Sequence, residues 1–158
     1  MIKKNGLLLT LCIAIPLILG GIAGYITKQE ITNWYLLLEK PFFNPPNYLF
    51  GPVWTTLYVL MGYSFYRIVT HPENKNAKQS LLIFSSQLLL NFCWSFLFFY
   101  SHLLLVALIE MMCLWATIFI MIIHYKKIDR TSAYLNIPYL IWVSFAMLLN
   151  ASIWWLNK

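Results

Sequence analysis

Apolar residues run through this chain in long unbroken stretches, and charges mark where each one ends. No Asp, Glu, Lys or Arg stands between Lys4 and Lys28, between Lys40 and Arg67, or between Arg130 and Lys158. From Lys78 to Lys126 the only charge is Glu110. A bilayer span needs about 20 apolar residues, and as one helix that last stretch would reach roughly 70 Å, more than twice the hydrocarbon thickness. It therefore folds back, and Ser101-His102 is its polar break. The pattern predicts an all-α membrane protein, a five-transmembrane-helix bundle with spans at about 6–26, 47–69, 80–100, 103–125 and 132–156 in a single domain. Helices are expected because an unclosed sheet leaves its backbone groups unsatisfied in lipid.

Helical spacing selects one face in four of the spans. These faces are Trp54, Tyr58, Met61 and Phe65 in the second, and Gln87, Asn91, Trp94 and Phe98 in the third. The fourth offers Glu110, Cys113, Thr117 and His124, and the fifth Tyr139, Trp142, Ala146, Asn150 and Ile153. Polar side chains inside a membrane face other helices or a cavity. Plain helix packing explains any one aromatic stripe. Three stripes that join a Trp to a polar neighbour suit a pocket with aromatic walls and a few hydrogen-bonding groups. Ala146, between Trp142 and Asn150, leaves a gap in that wall. In the first span, Gly20 and Gly24 have the spacing that lets helices approach closely, read here as packing within the chain.

Between the first two spans lies a different kind of segment, 28–46, which continues into WYLLLEKPFFNPPNYLFGPVW (Trp34 to Trp54). Pro41, Pro45, Pro46 and Pro52 prevent one continuous helix. Ile31–Glu39 is expected as a short interfacial helix. Loops are ordinarily polar, so this density of rings must rest against headgroups or a bound molecule. The segment reads as a lid.

Composition supports the membrane reading: 61% of residues are hydrophobic and 10% charged, against about 25% charged in soluble domains. Lys3, Lys4, Arg67, Lys75, Lys78, Lys126, Lys127 and Arg130 fall on one side of the expected topology, and Lys28, Lys40 and Lys158 on the other. The positive-inside rule then puts the N-terminus in the cytoplasm and the lid and C-terminus outside. This suits a bacterial inner membrane, with a mitochondrial outer membrane as the alternative. The net charge of +6 follows from that asymmetry, and no nucleic-acid partner is expected. Lys3-Lys4 before Leu7–Leu19 has the form of a signal peptide, but the apolar run continues to Ile26 and makes a full span.

Chemistry is sparse. Cys12, Cys93 and Cys113 lie inside spans without C-x-x-C spacing. His102 and His124 fall at opposite ends of the fourth span, and His71 falls in a cytoplasmic loop. No metal site, nucleophile–base pair or phosphate loop is visible. Glu110 is either a proton site or an acid hydrogen-bonded to a neighbouring helix, and the second reading is preferred.

Three motifs carry a resemblance. W-Y-x-x-L-x-K-P-x-x-x-P-P-x-x-x-F-x-x-V-W (Trp34 to Trp54), L-N-x-x-W-x-x-x-F-F (Leu90 to Phe99) and P-Y-L-x-W-V-x-F-A-x-x-L-N (Pro138 to Asn150) closely resemble the TspO/translocator protein family. The resemblance covers nearly the whole chain. It implies a five-helix bundle, often a homodimer in the lipid bilayer, that binds tetrapyrroles such as protoporphyrin IX and haem as ligands, with no cofactor required. It maps the ligand pocket onto Trp34, the Lys40–Pro46 segment (Lys40, Pro41, Phe43, Pro45, Pro46), Trp54, Tyr58, Asn91, Trp94, Trp142 and Ala146, and Asn150 shares the last face. Glu110 stands where family members commonly have an acid. Phe43 replaces the family's usual Trp beside the proline pair. Ser95 and Phe96 replace a proline-rich continuation, which predicts a straighter third span. Ala151, Ser152 and Trp155 lack the Tyr and Arg of a sterol-associated pattern.

These readings converge on a membrane-embedded tetrapyrrole-binding protein or sensor. Its alternatives are light- and oxygen-dependent porphyrin breakdown through tryptophan electron transfer, and a small-molecule carrier that uses Glu110.

Overall fold

The computed structural model describes residues 2–158, with side chains from residue 6 onward. Lys3 and Lys4, counted in the charge asymmetry, lie outside the described side chains. Seven α-helices and one π-helical turn make up the described chain: α1 (Ile2–Thr32), α2 (Trp34–Leu37), α3 (Asn47–Thr70), α4 (Ala77–Ser95), the π turn (Phe96–Tyr100), α5 (Leu104–Lys126), α6 (Arg130–Leu135) and α7 (Ile137–Leu156). The five long helices form a ring in which α1 packs on α3, α3 on α6 and α7, α7 on α5, α5 on α4, and α4 on α1.

Among the described residues four stretches are long and apolar enough to cross a membrane: Gly6–Thr32, Ala77–Tyr100, Leu104–Lys126 and Arg130–Leu156. α3 falls short on composition rather than length. Its 24 residues give about 36 Å of helix, but Thr55, Thr56, Tyr58, Tyr63, Ser64, Tyr66 and Arg67 dilute its apolar character.

Several boundaries differ from those the sequence suggests. α1 continues past Ile26 to Thr32, since no proline or glycine stops it and the Thr27 hydroxyl donates back to Ala23 O at 2.8 Å. The lid is correspondingly shorter, and its helix is the single turn Trp34–Leu37 rather than Ile31–Glu39. The third span widens into a π turn where a straighter helix was expected. That turn draws Ser101 N to Phe96 O at 2.8 Å and brings Phe98 and Phe99 inward. The last span breaks at Asn136, before Pro138. The buried Asn136 amide donates to Ser64 Oγ at 2.7 Å and to Ser132 O at 2.9 Å, which fixes the bend against α3.

The face expected inside on α5 is also corrected. Cys113 is exposed, and the buried face is Ala107, Met111, Leu114, Ile118, Met121 and Tyr125. α5 is apolar all round, so hydropathy does not distinguish its lipid face from its protein face.

The packing is uneven along the bundle. At the end where α3 meets α6, the core is filled by Met61, Ile68, Ile118, Met121, Tyr125 and Val143. There the Arg67 guanidinium donates to Asp129 at 2.8 Å, and Asp129 caps α6 through the Thr131 and Ser132 amides. At the lid end a smaller cluster gathers Tyr35, Phe98, Ala107, Leu149 and Ile153. The space between the two clusters is not filled by side chains.

Candidate functional site

That space is a cavity of about 400 Å³, within the roughly 300–1,000 Å³ of ligand pockets. It is walled by α1, α2, α3, α4, the π turn and α7. On α3, Trp54 stacks on Tyr58 with ring centroids 5.5 Å apart. On α4 and the π turn, Trp94 lies 5.2 Å from Phe98 and meets Phe99 edge-on at 5.9 Å. Tyr35 enters from the lid, 5.7 Å from Phe99. Ala146 supplies a low point in the wall on α7.

A chain of hydrogen bonds braces these walls. The Tyr58 hydroxyl donates to Asn91 Oδ1 at 2.7 Å, the Asn91 amide donates to the Tyr139 hydroxyl at 3.1 Å, and that hydroxyl donates to Gln87 Oε1 at 3.0 Å. In parallel, Trp94 Nε1 donates to Asn150 Oδ1 at 3.2 Å, and the Asn150 amide donates to Leu104 O at 3.0 Å. Asn91, expected to offer a ligand contact, is therefore engaged on both sides of its amide. A buried polar group without a partner costs about 1–3 kcal/mol, so these bonds hold the rings in fixed orientations. The walls hold an occupant chiefly by shape and by ring faces. Among the described residues no His, Cys or Met lines the cavity, and no group of three or more His, Cys, Asp or Glu stands together.

Of the residues singled out in the sequence, Trp54, Tyr58, Asn91, Trp94, Ala146 and Asn150 come together at the cavity. Trp142 stands behind its wall, edge-on to Phe50 at 5.9 Å, and Phe50 takes its place in the lining. Trp34 is likewise outside. It stacks on His102 at 4.0 Å, and His102 Nε2 lies 3.1 Å from Glu30 Oε2. Lys40, Pro41, Phe43, Pro45 and Pro46 form the outer layer of the lid. Lys40 Nζ donates to Leu38 O at 3.0 Å, Asn44 N closes a turn onto Pro41 O, and Phe43 packs against Phe145. Pro46 precedes the first turn of α3.

The lid residue that enters the cavity is Tyr35, next to the expected Trp34. Its hydroxyl donates to Asn44 Oδ1 at 2.8 Å. Burial pushes that hydroxyl up to about 12, so it stays protonated as a donor. Its neighbour on the four-residue α2 points away, and no pattern in so short a helix shows which of the two turns inward. The small residues Gly20, Gly21 and Gly24 also line the cavity, where the sequence suggested helix packing. Glu110 lies outside the lining, and both its carboxyl oxygens are buried without a hydrogen-bond partner. The helix-to-helix bond expected for it is not made.

A ring of long apolar helices around a braced, aromatic-walled cavity defines a membrane-embedded binding or sensor protein. The chain belongs to the TspO/MBR family, whose model matches residues 12–156. It is 39% identical over 153 residues to the Tryptophan-rich protein TspO of Archaeoglobus fulgidus, covering 97% of this chain and 99% of that one. It is 34% identical over 143 residues to the Translocator protein of Bos taurus (89% and 85% covered). It is 32% identical over 127 residues to the Tryptophan-rich sensory protein of Cereibacter sphaeroides (80% and 77% covered). With its four apolar helices, the chain is an integral membrane protein.

Proposed function

We propose that the cavity binds tetrapyrroles, protoporphyrin IX and haem among them, and that the protein senses or carries these molecules within the membrane. The supporting observation is the two braced pairs of rings, Trp54–Tyr58 on α3 and Trp94–Phe98 on α4 and the π turn, that line one cavity. A flat conjugated ring packs against such faces, and each aromatic contact contributes about 0.5–1.5 kcal/mol beyond area burial. Room for its edge exists at Gly21, Gly24 and Gly51, where an added Cβ would meet nothing within 4 Å. Without a His, Cys or Met in the lining, the macrocycle is held by its faces and its shape.

In this reading α3 crosses the bilayer as a fifth span, since its length suffices, Tyr58 and Ser64 are buried in the bundle, and the exposed Thr55 and Thr56 hydroxyls donate back to Gly51 O and Pro52 O. Arg67, Lys75, Lys78, Lys126, Lys127 and Arg130 then gather at the cytoplasmic end, and the lid and C-terminus lie on the far side. The test is a tryptophan-fluorescence titration of the purified chain with protoporphyrin IX. Saturable quenching that Ala146→Phe abolishes, in a protein that still folds, supports the cavity. Equal affinity in that variant rejects it.

A further inference from the structure

The cavity is closed unevenly. Its wall on α4, the π turn and α7 is formed by the buried Asn91, Phe98, Ala146, Leu149, Asn150 and Ile153 with half-buried rings between them. The exposed members of the lining are Gly21, Gly24, Asn47, Gly51 and Thr55, all on α1 or α3. Lower in the same seam the two helices touch. A Cβ on Gly62 would stand 2.5 Å from Cys12 O, and one on Gly20 would stand 2.1 Å from the Tyr58 ring. Above Gly20 the seam loosens at its glycines, where a Cβ on Gly21, Gly24 or Gly51 meets nothing within 4 Å, while Ala23 and Thr27 of α1 stay buried.

The lid end is tied down instead. The Asn157 side chain accepts from Glu39 N at 3.0 Å and donates to Glu39 O at 2.9 Å, joining the lid to the end of α7. Tyr35 is bonded to Asn44, and Trp34 is stacked on His102. In the topology proposed above, the tied side faces water and the open side lies along α1 and α3 within the bilayer.

We infer that the cavity exchanges its occupant sideways with the bilayer, through the α1–α3 seam bounded by Gly21, Gly24, Gly51 and Thr55. Its ligands are thus molecules already dissolved in lipid, and the lid is a fixed roof. The inference deepens the binding function proposed above and rests on it. The small residues serve as a threshold: they carry no side chain across the seam, and a flat molecule edge-on needs little more than the width that an isobutyl group would fill.

The test uses the full chain in phospholipid vesicles, with protoporphyrin IX dissolved in the lipid and uptake followed by stopped-flow quenching. The double variant Gly21→Leu/Gly24→Leu is expected to slow uptake about tenfold or more, and to slow release from the loaded chain with it, since both pass the same seam. Asn157→Ala, which frees the lid, is expected to leave the rate within about twofold. A native rate in the leucine variant, or accelerated uptake in Asn157→Ala, overturns the inference.

A ligand-free measurement separates the two proposals. With Cys12, Cys93 and Cys113 replaced by alanine, a nitroxide on Thr55→Cys should be relaxed by oxygen, which concentrates in lipid, and not by a water-soluble nickel chelate. Dominant relaxation by nickel overturns the lateral route. Absence of saturable quenching in the native chain overturns tetrapyrrole binding and leaves the nitroxide result to decide the seam.

Discussion

Gly20 and Tyr58 occupy what would otherwise be one volume: a Cβ on Gly20 falls 2.1 Å from Cε2 of the Tyr58 ring. The same ring stacks on Trp54 and donates its hydroxyl to Asn91. One missing methyl on α1 therefore sets the position of an α3 ring and of an α4 amide. Gly20→Ala is expected to displace Tyr58, lower stability by about 1–3 kcal/mol as overpacking does, and weaken ligand binding. Gly21→Ala, one residue on and in open space, should leave stability unchanged. Thermal unfolding in detergent, paired with the porphyrin titration, separates the two.

Gly62 meets a harder obstacle, since its added Cβ would face the Cys12 carbonyl at 2.5 Å and Ile13 Cα at 2.7 Å. Backbone cannot rotate aside as a ring can. Gly62→Ala should force α1 away from α3 and lower the melting temperature more than Gly20→Ala does. The reverse order would mean that α1 shifts freely along this seam.

Tyr139 stands in the middle of the buried hydrogen-bond chain, accepting from Asn91 and donating to Gln87. Tyr139→Phe leaves two buried partners unsatisfied, at about 1–3 kcal/mol each. Tyr58→Phe, at the end of the chain, strands one. The expected order of melting temperatures is native, then Tyr58→Phe, then Tyr139→Phe.

Position relative to the cavity ranks the tryptophans. Trp54→Ala and Trp94→Ala each remove a wall and should weaken protoporphyrin IX binding about 2- to 12-fold, the equivalent of about 0.5–1.5 kcal/mol. Trp142→Ala acts only through Phe50 and should weaken binding less than either. Quenching titrations of the three variants provide the comparison. A larger loss at Trp142 would put the occupant on the other side of Phe50.

The bond from the Arg67 guanidinium holds the Asp129 carboxyl well below its ordinary value of 3.8, helped by the Ser132 hydroxyl and amide. A carboxyl whose folded value is depressed contributes stability that is fully present above its unfolded value and is lost as pH falls through the folded one. The native melting temperature should accordingly fall as pH drops below about 4. Asp129→Asn should be less stable at pH 7 and lose less over the same interval. Melting curves from pH 7 to pH 3 in detergent test the sign.

The inner faces of α3, α4 and α7 are legible in the sequence, because Tyr58, Gln87, Asn91, Tyr139 and Asn150 carry hydrogen-bonding groups that hydrocarbon cannot satisfy. The apolar stretches and the fold at Ser101-His102 are legible for the same reason. On α5 the same reading points to the wrong face, since an apolar residue rests equally well against lipid or protein.

Sequence by itself thus determined that this is a helical membrane protein of the TspO/MBR family, and that Tyr58, Gln87, Asn91, Tyr139 and Asn150 turn inward, because transfer into lipid penalises polar groups. Only the tertiary structure decided that Tyr35 enters the cavity in place of Trp34, that Phe50 screens Trp142, and that Gly20 closes a seam which Gly24 leaves open. Those outcomes depend on helix rotation and on distances of a few ångströms between segments far apart in the chain, and no local pattern encodes them.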